Sequence, residues 1–242
     1  MLTKNNIKFI NNLSIKKFRL INKLFVVEGE KIVNELLLSD FAIQSVYATK
    51  KWIDDNSKNE LSNLHEVSNS ELKKISNLST PNNVLAIVRI KDHDIDLNNF
   101  LGKNVILDQI SDPGNLGTII RLCDWFGVKN IICSKNTVDF MNPKVIQSSM
   151  GSLFRVNLFY TDLFCFMENI EYPVYSADLN GTSIKESKIE ENAFILFGNE
   201  SSGVSHNLDQ FITKKIMIPS NREGVDSLNV ACAASIFLYK YL

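Results

Sequence analysis

Five apolar segments, each followed by a polar turn and a helix signal, constrain the second half of this chain more than any other feature. They are Asn104 to Asp108, Asn130 to Cys133, Pro173 to Ala177, Ala193 to Phe197, and Lys215 to Ile218. Strands that are apolar throughout, rather than on alternate residues, suit a parallel sheet covered on both faces. Helices are predicted between them at Leu116 to Phe126, Pro143 to Ser149, Asp162 to Asn169, about Asn207 to Phe211, and Ser227 to Tyr241. Strand and helix in alternation make an α/β domain.

The first half alternates on a smaller scale. Residues 3–22 place Ile7, Ile10, Leu13, Ile15, Phe18 and Leu20 only roughly on a helical period, which predicts one or two amphipathic helices. Strands follow at Leu24 to Glu30, Ile43 to Ala48, Leu64 to Val67, and Val84 to Ile90, with a helix at Lys31 to Ser39. Ser68 and Glu71 are spaced as a capping box opening another helix. The polar run K-D-H-D-I-D-L-N-N-F then separates the two halves. The division is 1–93, a linker at 94–102, and 103–242.

Charge sharpens this division. The net charge is -1, but residues 1–93 hold 14 Lys and Arg against 10 Asp and Glu, and residues 94–242 hold 12 against 17. The first 27 residues include Lys4, Lys8, Lys16, Lys17, Arg19 and Lys23 and no acid. A basic segment on an otherwise acidic chain suits a polyanion partner; a solvated helix face explains it equally well. No apolar run is long enough for a membrane helix, and the N-terminus lacks the apolar core of a signal peptide, so the cytoplasm is the expected compartment. Cys123, Cys133, Cys165 and Cys232 show no C-x-x-C spacing and read as reduced core residues. His65, His93 and His206 fall in no metal-ligand spacing, and no metal is expected.

Three polar clusters fall at strand-to-helix junctions of the second half, where α/β folds place ligand chemistry. The first, L-D-Q-I-S-D-P-G-N-L-G-T-I-I-R, carries Asn115, Gly117 and Arg121. The second, F-G-N-E-S-S-G, brackets Glu200 between Gly198 and Gly203. The third is I-P-S-N-R-E-G-V-D-S-L-N-V-A, from Ile218 to Ala231. Each has a plain structural explanation as well. Arg121 could lie on an exposed face, Glu200 in an ordinary turn, and Ser227 is a good helix N-cap. The G-x-G-x-x-G, G-x-x-x-x-G-K-[ST] and G-x-S-x-G motifs are absent. That counts against a dinucleotide-dependent oxidoreductase, the reading otherwise invited by repeated strand–turn–helix units.

Together the clusters resemble the three motifs of the SpoU (TrmH) family of RNA ribose 2′-O-methyltransferases, of the SPOUT class. N-x-G-x-x-x-R reads here N-L-G-T-I-I-R, G-x-E-x-x-G reads G-N-E-S-S-G, and I-P followed by S-L-N-V-[AS]-x-A reads Ile218-Pro219 and S-L-N-V-A-C-A. Q-S-S-M-G-S-L-F-R, Gln147 to Arg155, resembles the family between motifs. L-F-V-V-E-G-E-K-I-V and S-T-P-N-N-V-L-A-I-V resemble, more loosely, the small substrate-binding domain of many members, an L30e-like ribosomal-protein fold. The resemblance implies an α/β fold with a SPOUT parallel sheet, a C-terminal deep trefoil knot, and a small N-terminal α/β domain. It also implies a homodimer that binds S-adenosylmethionine and methylates RNA.

Carried over by position, the resemblance makes Asn115, Arg121, Glu200, Ser227 and Asn229 the polar catalytic set. Phe197, Gly198, Ile218, Leu228, Asn229 and Ala233 would contact the methyl donor. Lys16, Lys17, Arg19 and Lys23, with Arg121, would contact RNA. The family assigns the residue matching Arg121 as base. A guanidinium that orients a phosphate through its two-pronged geometry is the more economical role, since arginine keeps its proton in proteins. The loop Ser220 to Asp226 departs from the family in being charged and longer. By analogy the substrate is ribosomal RNA before tRNA, and a non-catalytic RNA binder on the same scaffold is the competing class.

Overall fold

The structure is a computed structural model describing residues 2–57, 61, 63–91, 100–221 and 227–242. The chain forms two compact units, residues 1–92 with 141–154, and residues 93–140 with 155–242. Residues 94–99 of the expected linker lie outside the described residues, as do 222–226 of the loop singled out above.

The first unit begins with helices α1 (Lys4–Asn12) and α2 (Lys16–Asn22), then β1 (Leu24–Glu28), α3 (Glu30–Leu37), β2 (Ile43–Ala48), α4 (Lys50–Asp55), β3 (Leu64–Glu66), α5 (Asn69–Ile75) and β4 (Val84–Arg89). Its sheet runs β1-β4-β2-β3. β4 is antiparallel to both neighbours, and β3 is parallel to β2. Ile10, Leu13, Leu24, Leu72 and Leu85 close a core between helices and sheet. The capping box forms: Ser68 Oγ accepts from Glu71 N, and Glu71 accepts from Ser68 N at 3.0 Å. Glu71 also accepts from Leu2 N at 3.0 Å. These bonds, the Ser68 amide foremost, lower its carboxyl from 4.5 to about 2.

The second unit continues with β5 (Lys103–Leu107), α6 (Pro113–Trp125) and β6 (Asn130–Ser134). Helix α7 (Pro143–Ser149) and the short 3-10 turn at Ser152–Phe154 follow in sequence but group with the first unit. There Gln147 Nε2 donates to the Glu28 carbonyl at 2.8 Å, and the Phe154 ring meets Phe41 edge-on. The second unit then resumes with β7 (Asn157–Thr161), α8 (Leu163–Glu168), β8 (Val174–Ser183), β9 (Ala193–Phe197), a 3-10 turn (His206–Phe211), β10 (Lys214–Met217) and α9 (Val230–Tyr241).

Its sheet has six strands in the order β10-β8-β9-β5-β6-β7, all parallel. Every residue of β6 and β9 is buried, as continuous apolar strands require. Phe100, within the expected linker, is buried against Phe166 and Phe194 with ring centroids 5.6 and 5.4 Å away. An asparagine ladder ties three strands near their N-terminal ends. Asn157 donates to Asn130 at 3.0 Å, Asn130 to Asn104 at 2.9 Å, and Asn104 to the Phe100 carbonyl at 3.0 Å. It satisfies polar groups that burial would otherwise penalise and fixes the register.

Two expectations need correction. The cysteines do not all lie in the core: Cys123 and Cys133 are buried, but Cys165 and Cys232 are exposed. An apolar stretch on a helix still turns part of its surface outward. Strand β7 was not anticipated, and β8 runs on to Ser183 because residues 177–181 leave the ladder where β10 shifts register.

Candidate active site

In the parallel sheet, β5 and β9 are neighbours whose onward connections diverge. β5 leads to β6 on one side, and β9 leads to β10 beyond β8 on the other. The crevice outside the carboxyl ends at such a point is where open α/β sheets bind ligands. Asp108 N donates to the Phe197 carbonyl at 2.9 Å, so the loops after these strands leave side by side.

The loop after β5 turns on Gln109, which has φ +57. Its N–H donates to Ser134 Oγ at 2.8 Å and its side-chain amide to Ser205 Oγ at 2.9 Å. Its carbonyl accepts from Asn199 Nδ2 at 2.8 Å. The neighbouring Asp108 carboxylate accepts from Ser205 N at 2.9 Å. Both flanks of the loop after β9 are thus tied to the end of β5. Asn199 and Gly203 exchange two backbone bonds of 2.9 Å, and Asn199 Oδ1 accepts from the Ser201 and Ser202 amides. Gly198 has no room for a side chain: a Cβ there would stand 2.3 Å from the Gly203 carbonyl carbon. The result is a tight ring that holds out Glu200. Sequence reasoning named Gly198, Gly203 and Glu200 but missed Gln109, Asn199 and Ser205. The available signal was Gln109 standing directly after an apolar strand.

Helix α6 starts at the first loop. Asp112 caps it, accepting from Asn115 N at 2.9 Å, and Pro113 occupies its first turn. Asn115 Nδ2 donates to Glu200 Oε1 at 2.7 Å, and Asn229 Nδ2 donates to Asn115 Oδ1 at 3.0 Å. Asn229 Oδ1 accepts from Ala231 N and Cys232 N. One chain, Asn229 to Asn115 to Glu200, thus joins all three polar clusters, and every member has a defined donor or acceptor role.

The third cluster differs from expectation in one respect. Asn229, not Ser227, caps α9; Ser227 lies outside the helix, exposed, with no hydrogen bond among the described residues. Asn229 wins because one side chain serves both the helix amides and Asn115. Arg121 lies on the exposed face of α6, outside that chain, and forms no hydrogen bond or ion pair among the described residues. Of the expected donor-binding set, Phe197 is buried at the strand end. Gly198, Ile218 and Ala233 are half-buried, and Leu228 is 49% exposed.

In the first unit Lys16, Lys17 and Lys23 are exposed, as an RNA contact needs. Arg19 is a correction: it is 2% exposed, and its guanidinium donates to the Leu13 and Ser14 carbonyls at 3.0 and 2.7 Å. It is spent satisfying carbonyls at the C-cap of α1 and in the turn just after it. A groove of about 550 Å³ in the same unit is lined by Lys50, Lys51, Asn69 and Asn83 together with Glu66 and Glu71. Sequence reasoning gave the two lysines and two asparagines no role.

Residues 102–239 match the SpoU rRNA Methylase family, and residues 4–86 match the MRM3-like substrate binding domain. The chain belongs to the SpoU rRNA methylase family. A structure from Porphyromonas gingivalis, described as an RNA methyltransferase of the TrmH family, superposes with a TM-score of 0.91 at 32% identity, covering 100% of this chain and 98% of that one. The AdoMet-bound rRNA methyltransferase of Sinorhizobium meliloti gives 0.87 at 26% identity, covering 99% and 95%. The 23S rRNA (guanosine(2553)-2′-O)-methyltransferase RlmP of Bacillus subtilis is 26% identical over 96% of this chain and 94% of its own. The α/β fold with its parallel sheet is therefore that of the SPOUT methyltransferases.

Among the described residues, no group of three or more His, Cys, Asp or Glu could hold a metal ion. None of their helices is long and apolar enough to cross a membrane.

Proposed function

We propose that this SpoU-family chain transfers a methyl group from S-adenosylmethionine to a ribose 2′-hydroxyl of ribosomal RNA. The observation that carries the reading is the bonded chain Asn229–Asn115–Glu200, which gathers one polar residue from each of the three loops at the sheet's switch point. A structural turn and a helix cap have no need of one another; a site assembled from three loops does.

The residues present fit the donor. Ile218, Leu228 and Ala233 offer apolar surface to a purine, and the bare Gly198 lets backbone approach it. Among the described residues of these loops the carboxylates are Asp108, Asp112 and Glu200, and there is no lysine or arginine. That balance suits a sulfonium cation and not the pyrophosphate of a dinucleotide. When bound, S-adenosylmethionine supplies an activated methyl group. The chain's own residues then have two tasks, aligning the ribose hydroxyl with the methyl carbon and letting its proton leave, to an RNA phosphate or water, as the sulfonium departs as a neutral thioether. Arg121 binds an RNA phosphate bidentately. Asn115, fixed at both ends of its amide, positions Glu200, and Glu200 orients groups of the loop or the acceptor. Ser227, exposed beside Leu228, has its hydroxyl available to either substrate.

RNA is gripped in the first unit by Lys16, Lys17 and Lys23, together with Lys50 and Lys51. Affinity should therefore fall as salt rises. The chain works in the cytoplasm as a homodimer. The dimer reading is supported by α9, which turns Ile236 and Tyr239, the latter 80% exposed, to solvent. These lie beside an apolar groove of about 350 Å³ containing Ile184 and Pro219. A trefoil knot at the C-terminal end of the sheet belongs to the same reading.

The test is incubation with methyl-labelled S-adenosylmethionine and, separately, protein-free rRNA and tRNA. Label in rRNA is the expected result. RNA binding with no transfer to either would reduce the chain to a binder, and transfer to tRNA alone would change the substrate.

A further inference from the structure

The chain has two tryptophans. Trp52 is packed in the first unit at 2% exposure, whereas Trp125, in the last turn of α6, is 81% exposed. Trp125 makes no ring contact among the described residues. An indole left in water forfeits a large burial term, so its surroundings need an explanation. It stands four residues after Arg121, about 6 Å further along the helix axis and on the same face. Taken at about 100° per residue, Asn115, Thr118, Trp125 and Arg121 fall within an arc of about 120°. The stripe thus runs from the asparagine that anchors the site, past a free guanidinium, to a free indole.

The neighbours leave that stripe open to a polyanion. Thr118 turns its hydroxyl back to the Gly114 carbonyl at 2.8 Å. Asp124, the acid adjacent to Trp125, is covered by a fork from Arg155, with Nε at 3.1 Å from Oδ1 and Nη2 at 2.7 Å from Oδ2. Its charge is thereby answered before a phosphate approaches. A cation for the backbone and an aromatic face for a base, one helical turn apart, are the two elements of a single-stranded nucleic-acid platform.

We propose that Trp125 is a base-stacking residue for the RNA acceptor: a nucleotide neighbouring the methylated ribose stacks on its indole while Arg121 holds the adjoining phosphate. This rests on the RNA methyltransferase reading. It also makes Trp125 a substrate-contacting residue that the three motifs do not contain.

Fluorescence separates the outcomes, since Trp52 is buried in the other unit. Full-length protein is titrated with protein-free rRNA, with an abasic ribose-phosphate polymer, and by dilution without RNA. Trp125→Ala and Trp125→Phe are assayed for methyl transfer, S-adenosylmethionine binding and sedimentation mass. The expected result is emission quenched by rRNA and not by the abasic polymer. Trp125→Ala should raise the KM for RNA about 5- to 150-fold, with the loss in KM rather than kcat and donor affinity the same. Phe should restore most of it. Unquenched emission and an unchanged KM, with methyl transfer intact, would overturn the platform and leave the enzymatic reading standing. Emission that shifts on dilution alone, with an altered mass for Trp125→Ala, would overturn it in favour of a contact between two copies. Quenching by rRNA without any methyl transfer would support the platform and sink the enzymatic reading.

Discussion

Replacing Asn115 with aspartate isolates the central contact. The substitution keeps the shape of the side chain and its acceptor toward Asn229 Nδ2, 3.0 Å away. It removes the donor that stands 2.7 Å from Glu200 Oε1. A hydrogen bond to a charged group contributes about 1.5–3 kcal/mol. These side chains are partly exposed, so solvent screening leaves about 1–2 kcal/mol, or about a 5- to 30-fold loss in the rate of methyl transfer. The loss should depend on pH. Two carboxylates this close cannot both ionise easily, so the pair's upper pKa rises above the usual carboxylate range. Below that pKa a shared proton rebuilds a hydrogen bond between them; above it they repel. Relative to the wild type, Asn115→Asp should therefore recover as pH falls from mildly alkaline toward mildly acidic. The assay is single-turnover transfer of labelled methyl at saturating donor, run on both proteins at each pH. A loss with no pH dependence, or no loss at all, would refute the claim that the Asn115–Glu200 bond sets the geometry of the site.

Three other substitutions probe the frame around it. Gly198→Ala puts a methyl where the Gly203 backbone already lies; the loop must open, and calorimetry should show weakened donor binding along with about 1–3 kcal/mol less stability. Asn229→Ala removes the cap of α9 and the tie to Asn115. It should lower stability by about 1 kcal/mol in denaturant titration, and its effect on activity should be non-additive with Asn115→Asp. Glu71→Gln tests the first unit. The Glu71 carboxyl is held at about 2 against an ordinary 4.5, so its stabilisation is present above pH 4.5 and lost as pH falls toward 2. The variant's Tm should lie below the wild type's at neutral pH, and the two should converge through that window.

Much of this architecture is legible in the sequence because it rests on local signals. The strands read as uninterrupted apolar runs, and the Ser68–Glu71 capping box follows from spacing alone; α6, expected from Leu116, starts three residues earlier at Pro113 because Asp112 caps it. Asn115, Glu200 and Asn229 were identifiable as a set only through the family resemblance; their hydrogen-bonding order was not, because it joins residues 85 and 114 positions apart. The same long range hid strand β7, which is tied in through the asparagine ladder. Arg19 misled because its charge suggested solvent while the bare carbonyls at the end of α1 drew it inward. In S-L-N, both Ser227 and Asn229 are competent caps, and only the position of Asn115 decides between them. Gln109 left only its place after an apolar strand: its left-handed backbone is imposed by partners on two other loops.

The measurement that tests the account most directly is the chemical position of the transferred methyl. Ribosomal RNA labelled by the wild-type protein is digested to nucleosides and the products are separated by mass. On the proposed mechanism the site aligns a ribose hydroxyl, so the label should appear as a 2′-O-methylated nucleoside and should fall in the Asn115→Asp, Arg121→Lys and Glu200→Gln proteins in proportion to their slowed transfer. Label recovered on a base, or undiminished label from all three variants, would contradict it.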